Sequence, residues 1–409
     1  MIEPSIFELK RLKYMSTIEM GQSPPSSEYS SSPESGLPFL QGTADFGVEY
    51  PDPKTFCSVP SKSAQKNDIL FSVRAPVGEL NIANRDYGIG RGVCAVRCTN
   101  SLYQRFAWWA LHWARQQLDS EATGSTYEAV TVDDVANLFI PTLPFYKQQT
   151  IADYLDHEIT YIDTLTNAKQ RLIELLEEKK RALIIHTITN GINELLPTIE
   201  SGIEWAYRIP VNWKVEPLFS ALHERKQINR GNVVDNVLSL SYGNIVKRDV
   251  ESNFGLLPES FESYQIVYPG DIILRLTDLQ NDKRSLRVGL VKEKGIITSA
   301  YVCLRCTDKI IPEYTYYLLH TYDLLKVFYN FGGGVRQTMR FEDLRRLPLI
   351  LPDIETQQKI VNSLGNLLPK FVLLIEKLTI SISLLYEKRN TLISAAVTGQ
   401  IEIPEVSCN

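Results

Sequence analysis

Gln148-Gln149-Thr150-Ile151 returns 209 residues later as Gln357-Gln358-Lys359-Ile360, and this echo decides how the chain is read. At the same offset, with no gap, Glu178-Lys179-Lys180 falls on Glu387-Lys388-Arg389, Leu183-Ile184 on Leu392-Ile393, and Thr189 and Ile192 on Thr398 and Ile401. Self-similarity at a fixed spacing marks a duplicated structural unit. Upstream the echo is looser but ordered. Asn67-Asp68-Ile69-Leu70 answers Gly270-Asp271-Ile272-Ile273, and Arg97-Cys98-Thr99 answers Arg305-Cys306-Thr307. Val132-Asp133-Asp134-Val135 before Pro141 answers Phe341-Glu342-Asp343-Leu344 before Pro348. Each half is therefore one globular block followed by one helix.

Heptad spacing marks the helices. Leu364, Phe371, Leu378, Leu385 and Leu392 recur every seven residues, with Ile360, Leu367 and Leu374 as the companion column. In the first half Leu155, Ile162, Leu176 and Leu183 take the matching places, with Ile151, Leu165 and Leu172 beside them and Lys169 and Lys179 interrupting. Two ordinary core helices would also give short heptad runs. The shared register across the repeat favours pairing of the two helices with each other, as an antiparallel coiled coil. The expected class is α+β: two tandem mixed α/β domains, 1–146 and 201–353, each followed by a helical region, 147–200 and 354–409.

Inside the blocks, alternating runs at 93–99, 271–276, 289–292 and 301–307 predict strands, and apolar-aromatic runs at 106–117 and 314–328 predict helices packed on them. The serine- and proline-rich residues 22–38 predict a long surface loop. Composition is that of a globular protein, with 44% hydrophobic and 22% charged residues over 409 positions. No apolar run is long enough to span a bilayer, and residues 1–10 lack the apolar core of a secretion signal, so the expected location is cytoplasmic. The formal charge of -5 is unevenly spread: 1–147 carry 13 basic and 16 acidic residues, while 205–350 carry 20 and 16. Net charge thus leaves DNA binding open, because a local patch matters more than the total.

Catalytic signals are missing. No phosphate-binding Gly-x-x-x-x-Gly-Lys-Ser/Thr loop occurs, nor an Asn/Asp-Pro-Pro-aromatic tetrapeptide, and the five histidines are scattered singly. Cys94/Cys98 and Cys303/Cys306 have metal-like spacing, but they sit in strand-like runs without histidine partners and read as small apolar residues.

Several stretches resemble the specificity subunits of type I restriction-modification systems. Gly202-Ile-Glu-Trp205 with Ile209-Pro210 and Trp213 is similar to that family's entry into a target-recognition domain. The run from Asn67 to Gly78 and Gly270 to Arg275 resemble its central strand. Gly124-Ser125-Thr126, followed by 138–144 and Gln148-Gln149, resembles its exit into the conserved helix, and 392–401 its ending. The likeness spans both halves in order, although the amino terminus, Phe7 to Leu12, lacks the Trp and Ile-Pro lead-in found at 205–210. The resemblance implies a non-catalytic subunit with two target-recognition domains, each reading one half of an asymmetric, split double-stranded DNA site. It also implies partner chains: methyltransferase subunits, expected as two copies, and restriction/translocase subunits. S-adenosylmethionine, ATP and Mg2+ would belong to those partners, with no cofactor and no metal bound here and no membrane involved.

Arginine and glutamine form paired hydrogen bonds to guanine and adenine edges, and glycines let backbone approach phosphate. The candidates for DNA contact are therefore the glycine loop carrying Arg336, Gln337 and Arg340, and the basic turn with Arg275, Thr277, Lys283, Arg284 and Arg287. In the first half, Arg74, Arg91 and the Ser125-Thr126-Tyr127 turn take comparable places. Two rival classes share the architecture: a scaffold joining two ligand-binding domains, and a dimeric regulator of palindromic sites.

Overall fold

The computed structural model describes residues 5–120, 129–193, 195–248, 260–277, 279, 285–329 and 338–403. Packing divides the chain into two compact units, residues 1–170 with 379–409 and residues 171–378. Each long helix therefore starts in one unit and ends in the other, whereas the expected boundaries kept helix and block apart.

The first unit is built on a four-stranded antiparallel sheet of β1 (Ser16–Met20), β2 (Ile69–Ser72), β3 (Leu80–Ile82) and β4 (Val93–Cys98), in the order β1-β4-β2-β3. The second repeats it with β5 (Leu222–Glu224), β6 (Ile272–Leu274), β7 (Val288–Leu290) and β8 (Val302–Cys306), in the order β5-β8-β6-β7. An aromatic helix shares a core with each sheet. Gln104–Ala114 buries Phe106, Trp109 and Trp113, and Pro312–Leu324 buries Tyr314, Leu318 and Tyr322. A two-stranded pair flanks each block, Glu8–Arg11 with Phe139–Thr142 and Lys214–Pro217 with Pro348–Leu351. Among the described residues, the first unit alone adds a five-stranded sheet, into which the expected surface loop contributes the short strands Tyr29–Ser30 and Leu37–Leu40.

The echoed residues have matching structural roles. Asn67 (φ 75°) and Gly270 (φ 89°) turn the chain through a left-handed conformation just before a buried aspartate. Asp68 accepts two hydrogen bonds from Arg97, at 2.9 and 2.7 Å, which raise the Arg97 pKa. Asp271 lies 3.5 Å from Arg225 and 4.0 Å from Arg305. A carboxylate this buried needs such cations. The first glutamine of each Gln-Gln pair is also buried. Gln148 accepts from the Tyr103 N–H at 2.7 Å and donates to the Ser101 and Leu143 carbonyls, both at 2.9 Å. Gln357 repeats this with Ile311 N–H (3.0 Å) and the Lys309 and Pro352 carbonyls (3.0 and 2.9 Å). Each amide ties the start of a long helix to the start of an aromatic one.

The long helices are Phe145–Asn190 and Ile354–Thr398. In the first unit Leu155, Ile159 and Ile162 share a core with Ile393, Ala396 and Val397, and Arg389 donates to Asp163 at 3.0 Å. In the second unit Ile184 and Ile188 share a core with Ile360 and Leu364. Low numbers of one helix thus meet high numbers of the other, so the pair is antiparallel. Leu155, Ile162, Leu364 and Leu378 are buried, and Leu176, Leu183, Phe371, Leu385 and Leu392 are half-buried. In the companion column Ile151 and Ile360 are buried and Leu165 is half-buried, as expected, but farther along the helices the next residue takes over: Ile173, Leu368 and Ile375 are half-buried while Leu172, Leu367 and Leu374 are exposed. Apolar residues sit side by side at 172–173, 367–368 and 374–375, so sequence alone leaves the choice open, and packing takes the second of each pair.

Both helix ends are closed alike. Gly191 (φ 79°) packs on the Trp213 ring and Gly399 (φ 81°) on the Phe7 ring. The Ile6 N–H also donates to the Thr398 carbonyl at 2.8 Å. The missing lead-in at the amino terminus is thereby answered: Ile401 and Ile403, after the second long helix, pack against the first unit's core. No described helix is long and apolar enough to cross a membrane. The paired cysteines lie on β4 and β8, where burial pushes the thiols of Cys94 and Cys98 up to about 12 and of Cys306 up to about 11. Thiols held protonated are poor metal ligands.

Candidate nucleic-acid interface

In the first unit β2 runs into a tight loop at 73–79. Ser72 closes it: its hydroxyl donates to the Pro76 carbonyl at 2.7 Å and accepts from the Glu79 N–H at 2.9 Å. Val73 joins the loop to two others, donating to the Gly92 carbonyl (3.0 Å) and accepting from the Val130 N–H (2.8 Å), while Arg74 bridges Ala129. Arg74 and Arg91 are thus brought together at one sheet end, and both are exposed. Ser125, Thr126 and Tyr127 lie outside the described residues, but Ala129 places the chain that follows them against Arg74.

The second unit has the same junction. The Met339 N–H donates to the Leu276 carbonyl at 3.0 Å, as Val130 does to Val73, so Arg275 and Thr277 lie beside the segment that leads to Arg340. Arg275 and Thr277 are half-buried and Arg340 is exposed. Arg340 starts a short helix, and its N–H is capped by the Asp343 carboxylate at 2.8 Å. Lys283, Arg284, Arg336 and Gln337 lie outside the described residues.

Arg287 does not belong to a reading surface. It is fully buried, and its guanidinium donates to the Arg275 carbonyl (3.0 Å), the Thr277 carbonyl (2.8 Å) and the Tyr329 hydroxyl (3.0 Å). Its N–H is held by Asp323 at 2.7 Å. The side chain acts as a strut under the loop: only a planar, multi-donor cation satisfies three acceptors at once. A basic turn in sequence does not separate such a strut from its exposed neighbours.

The titratable groups buried in the two units do not converge. Burial lowers His112 to about 3 and His320 to about 4, so both are neutral near pH 7. Among the described residues no group of three or more His, Cys, Asp and Glu could hold a metal ion. Sequence reasoning missed Gln22, Ser23 and Gln41, which the backbone brings beside 89–92: the Ser23 hydroxyl accepts from the Arg91 N–H at 3.3 Å, the Gln22 N–H donates to the Ile89 carbonyl at 2.9 Å, and the Gln41 carbonyl abuts Gly92. The signal in the sequence was the placing of Gly21, Gly90 and Gly92 next to polar residues.

Residues 4–176 match the family model of the type I restriction modification DNA specificity domain. Over those residues the chain is similar to that family. It is 36% identical over 188 residues to a Methanocaldococcus jannaschii protein described as a type I restriction enzyme MjaX specificity subunit. That alignment covers 46% of this chain and 43% of the relative, so the chain matches less than half of the relative's length. The fold is similar to a chain solved in work on complex assembly and conformational transition of the type I R-M system, with TM-score 0.72, 16% identity and 98% and 100% of the two chains covered. It is also similar to the HsdS subunit of Thermoanaerobacter tengcongensis, with TM-score 0.54, 15% identity and 97% of each chain covered. The specificity-domain match falls on the first block and much of the first long helix, and the second block repeats its strand order.

Proposed function

We propose that the chain is the DNA-recognition subunit of a type I restriction-modification complex in the cytoplasm, and that it reads an asymmetric two-part site in double-stranded DNA. One observation carries this: two units of identical sheet order present, at the same sheet end, loops that differ in sequence and length. One scaffold carrying two different loop sets suits two different half-sites. Two methyltransferase subunits and the restriction/translocase subunits supply adenine methylation and cleavage, and they hold S-adenosylmethionine, ATP and Mg2+. This chain contributes recognition and no catalytic group. Arg74, Arg91, Arg275, Thr277 and Arg340, with Ser125, Thr126, Tyr127, Lys283, Arg284, Arg336 and Gln337 nearby in sequence, are the contact candidates.

Selection of duplexes from a randomised pool by the chain co-expressed with its methyltransferase subunits tests the proposal. Two unlike conserved blocks around an unread spacer are expected. A palindrome would instead indicate a two-fold symmetric regulator, and an unenriched pool a scaffold without DNA function. The isolated chain should bind weakly, because only 205–350 is net positive and phosphate neutralisation dominates affinity.

A further inference from the structure

Three chain segments cross the Gly90-Arg91-Gly92 backbone at the exposed end of the first unit. A Cβ on Gly21 would lie 2.2 Å from the Gly90 carbonyl oxygen, and one on Gly92 2.2 Å from that of Gln41. No side chain fits between these strands, and backbone hydrogen bonds lock them: Gly21 to Val93 (3.0 Å), Gln22 to Ile89 (2.9 Å), Gly90 to Leu40 (2.8 Å) and Val73 to Gly92 (3.0 Å). The Arg91 N–H donates to the Ser23 hydroxyl at 3.3 Å, and the Gln41 N–H to Asp45 at 2.8 Å. Gln22, Gln41, Arg74 and Arg91 stand at these crossings, and all four are exposed.

The other arginines of this block are engaged. Arg11 bonds Asn137, Arg97 bonds Asp68, Arg105 bonds Asp156 and Glu49, Arg115 bonds the Gly78 carbonyl, and Arg85 lies over the Tyr87 ring. Among the described residues, the side chains of Arg74, Arg91, Gln22 and Gln41 make no such contact. Their donors are left for a ligand on a rigid platform, which lowers the ordering cost of binding. Two neutral glutamines neutralise no phosphate charge. They do match adenine edges in the major groove, as arginine matches guanine.

We propose that Gln22, Gln41, Arg74 and Arg91 form the base-reading set of the first unit, the arginines selecting guanine and the glutamines adenine. This rests on the chain being a DNA specificity subunit. The test repeats the duplex selection with the full methyltransferase complex carrying Q22A, Q41A, R74A or R91A, with R85A as control. Each of the four should relax preference at one base pair of one half-site by roughly 5- to 150-fold, an A·T pair for the glutamines and a G·C pair for the arginines. The other half-site and R85A should keep the wild-type motif. Uniform weakening over all sequences would assign these residues to phosphates and overturn the inference, as would unchanged motifs or an effect from the arginines alone. A wild-type complex that enriches no two-part motif would instead defeat the underlying function, and this inference with it.

Discussion

Replacing Gln148 by alanine should cost the first unit far more than replacing its neighbour Gln149. Gln148 is 1% exposed and satisfies three backbone groups, the Tyr103 N–H and the Ser101 and Leu143 carbonyls. The substitution leaves all three without that partner. An unsatisfied buried group costs about 1–3 kcal/mol, and water entering the vacated space recovers part of it, so the expected loss is about 3 kcal/mol. For a unit of this size that lowers Tm by roughly 6–12 °C. Gln149 is exposed, and Q149A should stay within about 0.5 kcal/mol of wild type. The second unit offers the same contrast in Gln357, fully buried, and Gln358, exposed. Urea unfolding followed by tryptophan fluorescence reads both units, since Trp109 and Trp113 lie in one core and Trp213 in the other. Equal losses from Q148A and Q149A would refute the pinning role of the echoed glutamine.

R287A should destabilise the second unit by about 3 kcal/mol, and R287K should not restore it, because an ammonium cannot span the three acceptors; thermal melts that leave both variants at the wild-type Tm would contradict this. Burial lowers His112 to about 3 and His320 to about 4, below the usual 6.5, so between those values and pH 6.5 the folded chain keeps them neutral while the unfolded chain protonates them. Their contribution is whole above pH 6.5 and lost as pH falls towards those values, about 2 kcal/mol per histidine at pH 5. Urea midpoints at pH 7 and pH 5 should show a smaller acid loss in H112Q than in wild type, and an unchanged loss would remove the assignment. R336A and R340A should impair one half-site while leaving the complex assembled, as methylation of single-base site variants would reveal; full activity in both would take this loop off the reading surface. Inserting one heptad near Leu172 and one near Ser381 lengthens each helix by about 10 Å, at 1.5 Å per residue, and keeps the apolar seam. A spacer about three base pairs longer, with lower activity from the added DNA twist, is expected; an active variant that keeps the original spacer would show that the helices do not set it.

The duplication, the strand runs and the paired helices were legible because each rests on local pattern: repeated motifs, alternation and heptads. The echoes also marked structural partners, since Asp68 with Arg97 and Gln148 with the Tyr103 N–H recur as Asp271 with Arg305 and Gln357 with the Ile311 N–H. The companion column was legible at Ile151 and Ile360 but not farther along, because Leu367 and Leu368 are equally apolar and only packing chooses between them. Nor was the fate of the basic residues. Arg287 and Arg74 look alike in sequence, yet one is buried under carbonyls contributed by its own loop and the other exposed, a distinction made by contacts far apart in the chain. Gln22 and Gln41 reach Arg91 only through backbone crossings that bring together residues about 50 to 70 positions apart.

Whether this chain directs methylation to a two-part site is decided by mapping N6-methyladenine across the host genome with and without this gene. One asymmetric motif of two blocks around a fixed spacer is expected, methylated when the gene is present and unmethylated when it is deleted. A methylation pattern unaffected by the deletion, in a host whose partner methyltransferase is expressed and active, would contradict it.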